Sequence, residues 1–156
     1  MEIKELEIVN TTQHLFDCFN GFMLSSDTKV FGKLLARTLL VDSVKHLPGD
    51  IVECGVFKGS SAARLLSFRK ILENDFSREF YGFDTFKNFP LKNNKIDKKY
   101  ELNFINDFKN EAGSPILKNE LINLFEKKKF ENYEFIEGDI FKTIPKFIKR
   151  KKHLKI

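Results

Sequence analysis

Three short apolar runs, each ending at a glycine or an acid and each paired with a helical stripe, constrain this chain more than any other feature. The runs are Asp50-Ile51-Val52-Glu53-Cys54, Glu79-Phe80-Tyr81-Gly82-Phe83-Asp84 and Tyr133-Glu134-Phe135-Ile136-Glu137. Rich in β-branched and aromatic residues, they read as buried strands. Residues 59–73 follow the first run with helical spacing, Ala62, Leu65, Leu66 and Leu72 lying near one side. Ser114-Pro115 offers an N-cap and a first-turn proline ahead of a stripe of Leu117, Leu121, Leu124 and Phe125. A short helix around Ile140 to Ile148 follows the third run, and His153-Leu154-Lys155-Ile156 reads as the opening of a fourth strand. Alternation of this kind makes a parallel sheet flanked by helices, the doubly wound α/β class.

Two further helices are expected upstream, over residues 11–22 and 28–47. In the second, Thr28 is the N-cap, Phe31, Leu34, Leu35, Leu39 and Asp42 keep helical spacing, and Pro48-Gly49 stops the helix. The expected organisation is an N-terminal helical segment, 1–48, ahead of a sheet-bearing domain, 49–156. Residues 86–113 are polar, rich in Asn and Lys, and too long for a simple connection; loops of that length serve as lids or stay disordered.

A chain of 156 residues with 42% hydrophobic and 31% charged composition is one globular domain rather than a disordered tail. It holds no stretch near the roughly 20 apolar residues that span a bilayer. The first residues, Met1-Glu2-Ile3-Lys4-Glu5, have no secretory pattern, and Cys18 and Cys54 make a poor disulfide framework, so the expected compartment is the cytoplasm. The net charge of +5 is local. Lys142, Lys146, Lys149, Arg150, Lys151, Lys152 and Lys155 lie in the last fifteen residues with no acid among them, and without these seven the body carries 20 basic against 22 acidic residues. A basic tail is not a basic face, so nucleic acid is not the expected partner.

In open α/β sheets ligands bind beyond the carboxyl ends of the strands. After the first run stands Gly55-Val56-Phe57-Lys58-Gly59-Ser60-Ser61, two glycines four apart leading into a helix, which lets a ligand approach the backbone and meet helix N-terminal amides. The spacing fits neither a dinucleotide G-x-G-x-x-G nor a P-loop, and a tight turn with structural glycines is the alternative reading. After the second run stands Asp84, suited to accept from a ribose diol or to cap the next turn. After the third stands Gly138-Asp139-Ile140-Phe141, where Asp139 either accepts from an adenine amino group, with Ile140 and Phe141 against the ring, or caps the helix. Cys54 is expected to be a buried strand-end thiol rather than a nucleophile.

Three segments carry a family resemblance. Gly49 to Ser61 resembles motif I of the macrocin (TylF-type) O-methyltransferase family. Tyr81-Gly82-Phe83-Asp84-Thr85-Phe86-Lys87-Asn88-Phe89-Pro90 resembles its next segment, and Glu137-Gly138-Asp139-Ile140-Phe141-Lys142-Thr143-Ile144-Pro145 its third. The resemblance implies a Rossmann-like methyltransferase fold that moves a methyl group from S-adenosylmethionine to a hydroxyl, typically of a sugar or secondary metabolite, with Mg2+ assisting in complete members. It further implies that Glu53, Gly55 and Gly59 shape the methionine pocket with Ser60 and Ser61 at the helix start. Asp84 would hold the ribose with Thr85 beside it, Asp139 and Ile140 would contact adenine, and residues 86–113 would form a lid.

The family continues past the segment matching Lys152 to Ile156 into an Asp-x-Asp strand and an Asp-Asp pair that bind the metal, and these are not in the sequence. The expected fold is therefore incomplete, about three strands and the start of a fourth. The metal ligands are missing, the catalytic residue is unassigned, and His14, His46 and His153 are scattered. Such a chain alone is expected to be inactive. With the edge of the first strand open, it is expected to be marginal, to oligomerise, or to need a completing chain. The competing expectation is a non-catalytic remnant that binds cofactor or a partner.

Overall fold

The structure, a computed structural model, describes residues 12–24, 28–87 and 95–151. The chain folds as two compact units, residues 1–40 and 41–156. In the first, helix α1 (Thr12–Met23) and the start of α2 (Thr28–Val44) pack Phe22 against Phe31 with ring centroids 5.0 Å apart. The expected stripe on α2 closes only partly, since Phe31 and Leu34 are half-buried while Leu35 and Leu39 are exposed. The helix also stops three residues short of the expected Leu47. Arg78 accounts for the early stop: its Nη2 donates to the carbonyls of Val44 and Lys45 at 3.1 and 3.0 Å, a cation on the last carbonyls of a helix.

The second unit runs β1 (Ile51–Cys54), α3 (Ser60–Leu72), β2 (Phe80–Asp84), α4 (Lys95–Ala112), α5 (Lys118–Lys127), β3 (Tyr133–Glu137) and α6 (Ile140–Arg150). The three strands are parallel in the order β1-β2-β3, with Glu53 opposite Gly82 and Gly82 opposite Phe135. Among the described residues β1 pairs with β2 alone. The expected fourth strand, 153–156, lies outside them.

Strand side chains alternate between two layers. On one, Tyr81 and Phe83 meet Phe147 of α6 at 4.6 and 5.2 Å, with Val52, Ile136, Ile140 and Ile144 around them. On the other, Phe135 is ringed by Phe80, Phe86 and Phe125 of α5 at 6.2, 5.8 and 5.2 Å. Each buried aromatic contributes about 1.5–3 kcal/mol. Gly82 makes that second layer possible, because a Cβ there would stand 2.7 Å from Phe135 and 2.9 Å from Val56.

Below the sheet, at the amino ends of β2 and β3, Arg69 is fully buried. It continues the buried stripe of Ala62 and Leu66, the place that the sequence pattern gives to Leu72, which is partly exposed. Its guanidinium donates to the carbonyls of Arg78, Asn132 and Glu131 at 2.6, 3.0 and 2.6 Å, with Asp75 at 3.7 Å. Burial pulls its pKa below the usual value, and Asp75 and Glu73 oppose that pull.

Two connections differ from the sequence reading. Most of 86–113 is helix: Tyr100, Phe104, Phe108 and Ala112 recur every four residues, a period diluted by the Asn and Lys between them, and Gly113 closes the helix in the left-handed region at φ 73°. Ser114 is not a helix cap. Ile116 is drawn into the core and its amide donates to Phe57, so the chain stays extended until Leu117 and α5 begins at Lys118. Leu117 N–H is met instead by Glu120, at 3.3 Å.

Candidate functional site

All nine residues singled out in the sequence stand at the carboxyl end of the sheet. Glu53 is half-buried on β1, and Gly55 and Gly59 bracket the turn into α3, both with positive φ, 90° and 77°. The two glycines have different reasons to be glycine. A Cβ on Gly55 would meet nothing within 4 Å, whereas one on Gly59 would overlap Leu121 of α5. Gly59 is also the N-cap of α3 and offers no side-chain acceptor, so the first-turn amides, with Ser60 exposed and Ser61 half-buried, present bare donors.

Asp84 gathers the site. Its Oδ2 accepts from the amide of Phe57 at 2.8 Å and its Oδ1 from the amide of Phe86 at 2.9 Å, while its own carbonyl accepts from Gly138 at 2.9 Å. One residue thus fixes the turn after β1, caps the turn after β2 and ties in the turn after β3. The two amides take one lone pair on each carboxylate oxygen, and each oxygen keeps a second. Thr85 Oγ1 lies 3.4 Å from Asp84 and donates to the carbonyl of Lys87 at 3.1 Å. Asp139 caps α6, its Oδ1 accepting from Phe141 at 3.0 Å, and Ile140 packs into the core while Phe141 is exposed. Both acids therefore perform the local capping that their sequence position also allowed. Lys87 and Glu137 pair across the ends of β2 and β3 at 2.8 Å, and the lysine holds the Glu137 carboxyl below its usual pKa.

The sequence did not single out Phe57, Lys58 or Phe108. Phe57 sits in the left-handed region at φ 54°, a conformation costing about 1–2 kcal/mol for a non-glycine residue. Its ring meets Phe108 of α4 edge-on at 5.1 Å, its carbonyl accepts from Ile116 at 3.2 Å, and its amide serves Asp84. Lys58 packs over the Phe57 ring and brings its ammonium against Gly113 at the end of α4. For Phe57 and Lys58 the only available signal was position, within the three residues held between Gly55 and Gly59; for Phe108 there was none.

Cys54 departs from expectation: it is exposed, because α6 covers the β2 side of that face and leaves the tip of β1 open. His14 contacts Cys18 at 3.2 Å on α1, His46 is exposed, and His153 lies outside the described residues. Among the described residues, no three His, Cys, Asp or Glu side chains gather to hold a metal ion, and no helix is long and apolar enough to cross a membrane.

No family profile matches the sequence, and no curated protein does. Solved structures do. CalS11, a calicheamicin methyltransferase, is 21% identical with a TM-score of 0.59, over 93% of this chain and 58% of its own. Its apo form, described as a TDP-rhamnose 3′-O-methyltransferase of calicheamicin biosynthesis, is 20% identical with a TM-score of 0.55, over 95% of this chain and 56% of its own. The O-methyltransferase NovP is 22% identical with a TM-score of 0.59, over 72% of this chain and 47% of its own. The chain thus spans roughly half the length of the structures it matches. At these identities the likeness is one of fold, and the chain has the α/β, Rossmann-like architecture of these methyltransferases, with three parallel strands flanked by helices.

Proposed function

We propose that this chain is the cofactor-binding part of an S-adenosylmethionine-dependent O-methyltransferase of the macrocin type, acting on a saccharide or secondary-metabolite hydroxyl. The observation that carries the reading is the convergence on Asp84 of the turns after all three strands. The residues fit the cofactor. The open face of Gly55 admits a ligand against the backbone, and the bare first turn of α3, at Ser60 and Ser61, suits a carboxylate. Glu53 and Gly59 would complete the methionine end. The remaining lone pairs of Asp84, with Thr85, suit a ribose diol, and Asp139 with Ile140 would border adenine. The cofactor supplies an electrophilic methyl group on a sulfonium, which a hydroxyl oxygen attacks as the thioether leaves. Mg2+ belongs to the complete members of the resembled family. The saccharide acceptor rests on that resemblance, in keeping with the TDP-rhamnose described for CalS11. A second copy or a further chain against β1 belongs to the same proposal.

Calorimetric titration with S-adenosylmethionine and S-adenosylhomocysteine tests the reading. Both should bind the folded wild type. Ser60→Glu should weaken both by roughly tenfold, by setting a carboxylate against a carboxylate, while leaving the fold intact because an acid favours a helix start. A folded wild type that binds neither ligand sinks the proposal. Binding that never leads to methyl transfer points to the non-catalytic alternative.

A further inference from the structure

From the contacts around Phe57 we infer that helix α4 and the glycine turn after β1 form one cooperative unit, with Phe57 and Lys58 as positioning residues. Each functional group of Phe57 serves a different neighbour. The amide holds Asp84 at 2.8 Å, the carbonyl takes the Ile116 amide at 3.2 Å, and the ring lies edge-on to Phe108 at 5.1 Å. Lys58 adds a cation at the carboxyl end of α4, where the helix dipole is negative, its amine close enough to Gly113 that a Cβ there would stand 2.9 Å away. Gly113 in turn closes α4, its amide donating to Lys109 at 2.9 Å. Beyond Phe108, Phe104 stacks on it at 6.1 Å and is 63% exposed, so the aromatic ridge continues from the turn out along α4.

A non-glycine residue held in the left-handed region needs surroundings that over-determine it. Here those surroundings are Asp84, the amide of Ile116 and the Phe108 ring of α4. Releasing α4 removes the Phe108 ring, one of the three contacts that hold Phe57, and a relaxed Phe57 withdraws its amide from Asp84. Anything that orders the turn must therefore favour docking of α4, and docking of α4 must favour ligand at the turn by the same factor. The second statement rests on the cofactor reading above; the mechanical one does not.

The test is hydrogen–deuterium exchange on the full chain, with and without S-adenosylhomocysteine, for wild type, Phe108→Ala, Phe108→Tyr and Lys58→Met. Phe108→Ala and Lys58→Met should speed exchange in residues 102–112 and also in residues 55–61, with neither substitution on a residue assigned to ligand contact. They should weaken S-adenosylhomocysteine by roughly fivefold or more, and Phe108→Tyr, which keeps the edge-on ring, should match wild type. Faster exchange confined to 102–112, with the turn and the affinity unchanged, overturns the inference. If wild type binds no S-adenosylhomocysteine, the proposed function fails, and the ligand-free exchange at 55–61 alone decides the coupling.

Discussion

Gly59→Ala is the substitution whose cost can be worked most directly from the structure. Gly59 has φ 77°, and a Cβ there runs into the side chain of Leu121. The backbone term for a non-glycine residue in the left-handed region is about 1–2 kcal/mol. The steric term is about 1–3 kcal/mol, the usual cost of an extra methyl in a packed core. Leu121 has little room to swing aside because it is 1% exposed and sits one helical turn from the buried Phe125. The sum, about 2–5 kcal/mol, is a large share of the 5–15 kcal/mol that a typical domain has in total. Gly55→Ala separates the two terms. Its φ is 90° but its Cβ meets nothing, so only the backbone cost of about 1–2 kcal/mol applies.

Urea unfolding followed by circular dichroism would measure both, together with Leu121→Ala and the Gly59→Ala/Leu121→Ala pair. Leu121→Ala alone should cost about 2–5 kcal/mol. In the double variant the overlap is gone, so the cost should fall short of the sum of the singles by about 1–3 kcal/mol. Additive costs, or a Gly59→Ala no worse than Gly55→Ala, would refute the argument that Gly59 is glycine for contact as well as for φ.

Three further outcomes are expected. Arg69→Lys should lose about 2–4 kcal/mol in the same urea assay, since one ammonium cannot span the carbonyls of Arg78, Glu131 and Asn132; wild-type stability would show that charge alone suffices there. Burial first, and then the neighbouring Glu79, push the Tyr81 phenol from 10.0 up to about 12. A raised folded pKa means that its stabilisation is complete below pH 10 and is lost as pH rises through 12, about 2–3 kcal/mol in all. Tyr81→Phe should remove that share of the alkaline loss, and identical pH–stability curves for the two proteins would reject it. Asp139→Ala should cost about 1 kcal/mol by uncapping α6, and an unchanged urea midpoint would count against the cap.

The strands were legible because their signal is local. The run 133–137 is the strand as found, and the other two differ by one residue, since a β-branched and aromatic run between turn residues needs no distant partner to be read. What was not legible depends on distant partners. Arg78 shortens α2 from thirty-three residues further on, and Ile116 delays α5 because its amide is taken by Phe57. Arg69 falls at the helical spacing of Ala62 and Leu66, but its charge sets it outside an apolar stripe, and only the three carbonyls converging on it explain its burial. Cys54 was read as buried from its strand alone, whereas its exposure depends on how far α6 reaches across the sheet. The strand-end rule pointed to acids and glycines that do stand at the carboxyl end of the sheet, but nothing in the local pattern around Phe57 shows that it faces α4.

Asp84 shows why the structural and ligand readings of such a residue need not compete. Its carboxylate accepts one backbone amide on each oxygen, and this fixed posture is what a hydrogen-bonding site for a diol requires. Asp84→Asn tests both roles at once. The amide side chain has a single acceptor oxygen, so the Phe57 or the Phe86 amide would face an NH2 group, at a cost of about 1–3 kcal/mol. If Asp84 only caps turns, S-adenosylhomocysteine affinity should fall in step with that loss of order and recover when an osmolyte restores the fold. If it also receives a ribose diol, affinity should stay depressed after stability is restored, and adenine-bearing ligands that lack ribose hydroxyls should show no difference between the variant and wild type. A full recovery of affinity along with stability would leave Asp84 as the residue that joins the three turns and nothing more.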